Sequence, residues 1–240
     1  MGKYFDERKL KDDELFDNPA TRVAMCLCVD TSDSMEIPIV RGQSRMDCVN
    51  KGIRNFLKKC VDNIYARDSL DFCLITFGGG QAKLRIPFTN VQKVRFDNLE
   101  GSGSTPMGAA VELALEEITA NKERYSSYGL SSYKPWLIIM SDGEPTDDIS
   151  NAVKAVNEEL EKKKIKVKCI YMGSQDGSGS NEGRKALNRF TRSIAGSTES
   201  IDFLDMDNFF EFLSKSVSNL SKSIPGQDEN MEDVIGRYGK

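Results

Sequence analysis

The chain has 240 residues, 39% of them hydrophobic and 29% charged, with a formal net charge of -4 and no histidine. That length suits one sizeable α/β domain, and no basic block stands clear of neighbouring acids, which excludes nucleic-acid binding through phosphate neutralisation. The absence of histidine removes Ser-His-Asp triads, Cys-His pairs, HExxH zinc sites and imidazole proton shuttles from consideration.

Residues 1–21 read as a polar N-terminal arm, 22–222 as one domain and 223–240 as a flexible tail. Within the domain, an apolar strand is expected at 23–29, followed by a helix at 45–63 that places Met46, Val49, Ile53, Phe56, Leu57 and Cys60 at i, i+3, i+4 spacing. Strands follow at 70–77 and 83–88, with Gly78, Gly79 and Gly80 as the turn between them. A second helix is predicted at 107–120, on Ala110, Val111, Ala114, Leu115 and Ile118. Then come a strand at 136–140, a helix at 147–163, a strand at 167–172, a helix at 184–194, a weaker strand at 200–203 and a last helix at 206–221. The strands at 23–29, 136–140 and 167–172 are apolar enough to be buried on both faces. Their alternation with helices predicts a doubly wound, mostly parallel sheet covered on both sides, with ligands bound at the carboxyl ends of the strands. The Ser/Gly-rich loop 173–183 should overhang that rim, with Asp176 solvated.

No apolar segment follows a basic start, and no uninterrupted apolar run approaches the roughly 20 residues of a membrane helix. A cytoplasmic protein without membrane contact is therefore expected. Cys26, Cys28, Cys73 and Cys169 fall inside strand-like runs, Cys48 and Cys60 fall at helical spacing, and no CxxC pair occurs. Reduced core thiols fit that pattern better than disulfides or zinc. Lys162, Lys163 and Lys164 follow Glu158, Glu159 and Glu161, as at a solvated helix end.

Three separated segments bring oxygen to the predicted rim. The run VAMCLCVDTSDSM ends a buried strand on Asp30, Ser32 and Ser34; GSGSTPMG carries Thr105 ahead of a helix; MSDGEPTDD carries Asp142 after a strand. Two carboxylates balance a divalent cation while hydroxyls fill positions without added repulsion, and oxygen is what Mg2+ prefers, with Mn2+ or Ca2+ as alternatives. Each residue also has a plainer role: the serines and Asp30 as turn or helix caps, Thr105 as an N-cap with Pro106 at the first helical position, and Thr146, Asp147 and Asp148 as helix-start residues.

The pattern DxSxS, then a threonine in a Gly/Ser loop, then an SDG turn after an apolar strand, resembles the von Willebrand factor A domain and its metal-ion-dependent adhesion site (MIDAS). The phrases LITFGGG, GSTPMGAAVELAL and LIIMSDGEPTDD are similar to the bacterial tellurium-resistance TerY-type branch of that family. The resemblance, over about residues 20–222, implies a six-stranded sheet of order 3-2-1-4-5-6 with one short antiparallel edge strand. It implies that Ser32, Ser34 and, depending on ligand state, Thr105 touch the cation directly, and that Asp30 and Asp142 act directly or through water. Asp33 departs from the family, which usually has glycine there; an extra carboxylate would tighten cation binding or repel an acidic partner.

The function implied is a binding module whose cation accepts an Asp or Glu carboxylate from a partner protein, in a stress-response setting with kinase- or phosphatase-like partners. The alternative is a Mg-dependent phosphotransfer or hydrolase enzyme with Asp30 as nucleophile. Against it, Ser32 stands where a dehalogenase-type site wants a second acid, and GSGSTPMG lacks the lysine of a phosphate-binding loop. A third reading is a structural ion clamp with no exchange of partner.

Overall fold

The computed structural model describes residues 18, 20–40, 42–172, 182–191, 198–200 and 206–222. Its centre is strand β1 (Val23–Asp30), all eight residues of which are buried. Residues alternate across a strand, and here the alternation divides the molecule. Val23, Met25, Leu27 and Val29 join one core and Ala24, Cys26 and Cys28 the other.

A small hairpin, β2 (Pro38–Val40) and β3 (Gln43–Ser44), precedes helix α1 (Arg45–Asp62), and a short helix α2 (Ile64–Ser69) leads into β4 (Leu70–Gly78) and β5 (Gln81–Asn90). Helix α3 (Met107–Ser127), β6 (Trp136–Ser141), α4 (Ser150–Glu161), β7 (Lys166–Tyr171), α5 (Glu182–Phe190), β8 (Thr198–Ser200) and α6 (Met206–Leu220) complete the described elements. The main sheet runs β5-β4-β1-β6-β7-β8, the order expected, with β4 and β5 antiparallel and the other pairs parallel. The antiparallel edge strand is not short: at ten residues β5 is longer than β1, because the turn at Gly79 and Gly80, both at positive φ, lets it run back along β4.

One core packs α1 and α6 on the sheet through Met46, Val49, Ile53, Phe56, Phe210 and Leu213. The other packs α3, α4 and α5 through Met107, Val111, Ala114, Val156, Leu187 and Phe190. The sheet is therefore covered on both faces, as its apolar strands require. All six cysteines are unpaired; Cys26 and Cys73 sulfurs are neighbours at 3.6 Å on adjacent strands.

The differences from expectation have local causes. The helix expected at 45–63 ends at Asp62, because the Asn63 side chain accepts from the Tyr65 and Ala66 amides and starts α2 instead. Helix α3 runs to Ser127, carried on by Tyr125, which is buried and donates its hydroxyl to Asp71. The helix expected from Asp147 starts only at Ser150, since Asp147 is spent elsewhere. The expectations for the arm 1–17, the loop 173–181 with Asp176, residues 192–194 and 201–203, and the tail 223–240 lie outside the described residues.

Candidate metal centre

Strands β1 and β6 are parallel and in register, with Val29 paired to Met140, so the breaks at Asp30 and Asp142 come at the same level of the rim. Asp30 is wholly buried and both its oxygens are engaged: Oδ1 accepts from the Ser32 amide at 2.9 Å and Oδ2 from the Ser141 hydroxyl. The turn that follows points Ser32 and Ser34 the same way, their hydroxyl oxygens 3.0 Å apart. Ser34 then donates to Asp142 Oδ1 at 2.7 Å.

Thr105 reaches the same place from the other side. A side-chain carbon placed on Gly143 would lie 3.8 Å from Thr105 Oγ1 and 3.9 Å from Ser34 Oγ, so both hydroxyls face the glycine that follows Asp142. The N-cap role expected for Thr105 is not what is found. Pro106 occupies the N-cap position of α3, which begins at Met107, and the end of the helix is closed by Asp147, whose two carboxylate oxygens accept from Gly108 at 3.1 Å and Ala109 at 2.9 Å. Thr105 is instead tied by its backbone to Thr146, which frees its hydroxyl from capping. All five residues singled out in the sequence thus converge on one corner.

The Gly/Ser loop is pinned to that corner. Its Ser102 amide donates to the Thr31 carbonyl at 2.7 Å, and Gly103, at positive φ, lies so close to Gly79 that a side-chain carbon would meet Gly79 Cα at 2.9 Å. Asp33, the departure from the family pattern, accepts from the Gly103 amide at 2.7 Å, and Glu36 accepts from Gly101. Both acids hold the loop. Asn50 of α1 pairs with both backbone groups of Leu99, anchoring the segment that leads into it.

Two residues of the corner carry no signal that sequence reading used. Ser141 supplies the hydroxyl on Asp30, and its only mark was its place in the SDG turn. Arg45 lies 3.3 Å from Asp142 Oδ2 and donates to the carbonyls of Met172 at 2.8 Å and Ser34 at 3.3 Å. A cation at the first position of a helix opposes the macrodipole, and that mismatch was the available clue.

Burial raises the pKa of both acids. Asp30 is pushed from 3.8 up to about 6 despite the hydrogen bonds from Ser141 and Ser32 that favour its ionised form. Asp142 is also raised by burial, opposed by the Ser34 hydrogen bond and the Arg45 charge. Among the described residues no lysine or arginine pairs with Asp30. A buried carboxylate held by one backbone amide and one hydroxyl, with no counter-charge among the described residues, is what an oxygen-liganded cation fits. Because the folded pKa of Asp30 lies above its unfolded value, its stabilising contribution is complete below about pH 4 and is lost as pH rises through about 6. The expected result, in urea melts with chelator, is that the parent loses stability relative to Asp30→Asn by on the order of 3 kcal/mol between those limits. A constant difference across the range would contradict it.

Among the described residues no three His, Cys, Asp or Glu side chains cluster as a metal site, so a cation here depends on hydroxyls. The sequence matches the family model of the von Willebrand factor type A domain over residues 25–218. No curated protein matches the chain. Among solved structures, the von Willebrand factor domain of the type V pilus tip protein Mfa5 from Porphyromonas gingivalis is similar with a TM-score of 0.63 at 11% identity, over 85% of this chain and 98% of that one. The PilB minor pilin from Streptococcus sanguinis is similar with a TM-score of 0.59 at 14% identity, over 83% of this chain and 62% of the pilin. Proximal thread matrix protein 1 from the mussel byssus, in a structure with a zinc-occupied MIDAS motif, is similar with a TM-score of 0.54 at 18% identity, over 84% of this chain and 47% of that one. The chain thus spans about half of the mussel protein and under two thirds of the pilin, and at these identities the likeness is one of fold.

Proposed function

The chain belongs to the von Willebrand factor type A domain family, and on that premise we propose that it is a metal-dependent protein-binding module in which Asp30, Ser32, Ser34, Thr105 and Asp142 hold a divalent cation. The observation that carries this reading is the hydrogen-bonded run from Asp142 through Ser34 to Ser32, beside buried Asp30 and with Thr105 facing the same glycine. The two carboxylates supply the negative charge, and the three hydroxyls add ligand oxygens without repulsion. An all-oxygen donor set favours Mg2+ in the cell, with Mn2+ and Ca2+ sharing its preference. When bound, the ion supplies an exchangeable coordination position for an outside carboxylate, so the partner offers an Asp or Glu.

Ile37, 56% exposed and close in sequence to the corner, gives the partner an apolar contact beside the charged one. The motifs LITFGGG, GSTPMGAAVELAL and LIIMSDGEPTDD support a place in the TerY-like branch, hence in a bacterial tellurium-resistance or stress-response system beside kinase- or phosphatase-like proteins. Six unpaired cysteines support a reducing, cytoplasmic setting. No helix among the described residues is long and apolar enough to cross a membrane. A Mg-dependent phosphotransfer reading is less well supported: Asp30 is 0% exposed with both oxygens already accepting hydrogen bonds, a poor position for a nucleophile.

The test is co-purification from a host extract with Mg2+ or with chelator. A specific partner should be retained with Mg2+, released by chelator and lost from Thr105→Ala while that variant keeps the parent's melting temperature in chelator. A partner set indifferent to both metal and Thr105 would leave only the structural-clamp reading.

A further inference from the structure

The turn that carries Ser32 and Ser34 also grips the loop that carries Thr105, and Asp33 is the centre of that grip. Its amide donates to the Gly103 carbonyl at 3.1 Å while its carboxylate accepts from the Gly103 amide at 2.7 Å, so one residue satisfies both backbone groups of the other. Beside this pair, the Ser102 amide donates to the Thr31 carbonyl at 2.7 Å and the Gly101 amide to the Glu36 carboxylate. From behind, the Gly79 amide in the β4–β5 turn donates to the Ser102 carbonyl.

The clamp has no slack. A side-chain carbon on Gly101 would meet the Ser32 carbonyl oxygen at 2.9 Å, and one on Gly103 would meet the Gly79 backbone on the other side. Thr105 leaves this clamp two residues after Gly103, and downstream Thr146 holds it by two hydrogen bonds, to its amide at 3.1 Å and to its carbonyl at 2.9 Å. The direction of its hydroxyl therefore depends on both anchors. Two glycines and two serines fill the four positions before Thr105, which makes this stretch costly to order. The contacts to Asp33 and Glu36 order it within the chain itself.

Resting on the reading of this corner as a cation site, we infer that Asp33 is a positioning residue for the ion, acting through its hydrogen bond to Gly103 on the Thr105 hydroxyl. Its carboxylate works as an acceptor aimed at the loop, which replaces the two roles expected from its charge, attraction of the cation and repulsion of an acidic partner. Glu36 is the second fastener, at Gly101. Ligand groups fixed before binding raise affinity because binding no longer has to order them. Asp33 and Glu36 are themselves exposed, so neither is needed to fill the core.

The test is Mn2+ binding by the full chain, read from the loss of the free-ion signal in electron paramagnetic resonance, for Asp33→Asn and Asp33→Ala. Both variants lose the same charge, but asparagine keeps an acceptor oxygen for Gly103, so the ratio of their Kd values reports the hydrogen bond alone. The expected result is that Asp33→Ala binds Mn2+ at least about fivefold more weakly than Asp33→Asn. With Thr105→Ala added, the two should agree within about twofold, because no hydroxyl is left to position. Glu36→Gln and Glu36→Ala should fall in the same order, and that pair decides the matter if Asp33→Ala does not fold. Equal Kd values for the asparagine and alanine variants, or a difference that survives Thr105→Ala, would overturn this inference while leaving the cation site in place. A parent that binds no Mn2+ would overturn both.

Discussion

In chelator at pH 7, Asp30→Asn melts above the parent, and adding Mg2+ raises the parent but not the variant. The first half follows from burial. With its pKa pushed to about 6, the Asp30 carboxylate is ionised at pH 7 in a place that disfavours the charge. Asparagine keeps an oxygen for the Ser32 amide and can meet Ser141 without a charge, so the metal-free fold gains on the order of 3 kcal/mol. For a domain of this size that is roughly 6 to 12 °C in melting temperature. The second half follows from linkage: at a hundredfold excess over Kd, a ligand bound only by the native state adds about 2.7 kcal/mol. The parent gains this in Mg2+, and Asp30→Asn, with half the site's carboxylate charge removed, does not. A metal-free variant less stable than the parent, or one with the same response to Mg2+, would contradict the account. A site residue that lowers the stability of the empty fold is the signature of a group kept for binding.

Arg45→Gln should move metal affinity and metal-free stability in opposite directions. The guanidinium lies 3.3 Å from Asp142 Oδ2, with the positive end of α1 behind it, and so competes with a divalent ion for the same carboxylate. Removing that charge should tighten Mg2+ binding by about tenfold or more, at least ~1.4 kcal/mol. The same change strips Asp142, whose side chain is 3% exposed, of its only counter-charge among the described residues, and breaking such a pair costs about 3–5 kcal/mol in the metal-free protein. Calorimetry for the Kd and urea melts with and without Mg2+ separate the two effects; the stability gap should narrow in saturating Mg2+. An unchanged Kd would mean that Arg45 is only a strut between α1 and the carbonyls of Ser34 and Met172.

Much of this was legible in the chain because the relevant signals are local. An eight-residue strand buried on both faces writes an unbroken apolar run, so β1 and β6 stood out, and the polar residues that end them marked the rim. The convergence of Asp30 and Asp142 followed from topology, since parallel strands bring their carboxyl ends to one edge, whereas Thr105 arrives on the loop that returns from the far end of antiparallel β5. What escaped reading depends on contacts across long separations. Asp147 caps the helix that starts forty residues earlier, and that displaces Thr105 from the cap expected of it. Asp33 reads as an extra carboxylate beside the cation, and its use as a loop fastener is invisible in the sequence because Gly103 presents its amide to it from seventy residues away. Arg45 reads as an ordinary helix start until β6 sets Asp142 against it. The β2–β3 hairpin, three residues and two, is too short to write a period at all.

The most direct test of the central claim is anomalous diffraction from crystals of the protein grown or soaked with Mn2+, which scatters where Mg2+ does not. The account predicts one strong peak about 2 Å from the hydroxyl oxygens of Ser32 and Ser34, between Thr105, Asp30 and Asp142. No peak in that corner at saturating Mn2+, or a peak held by other residues, would contradict it.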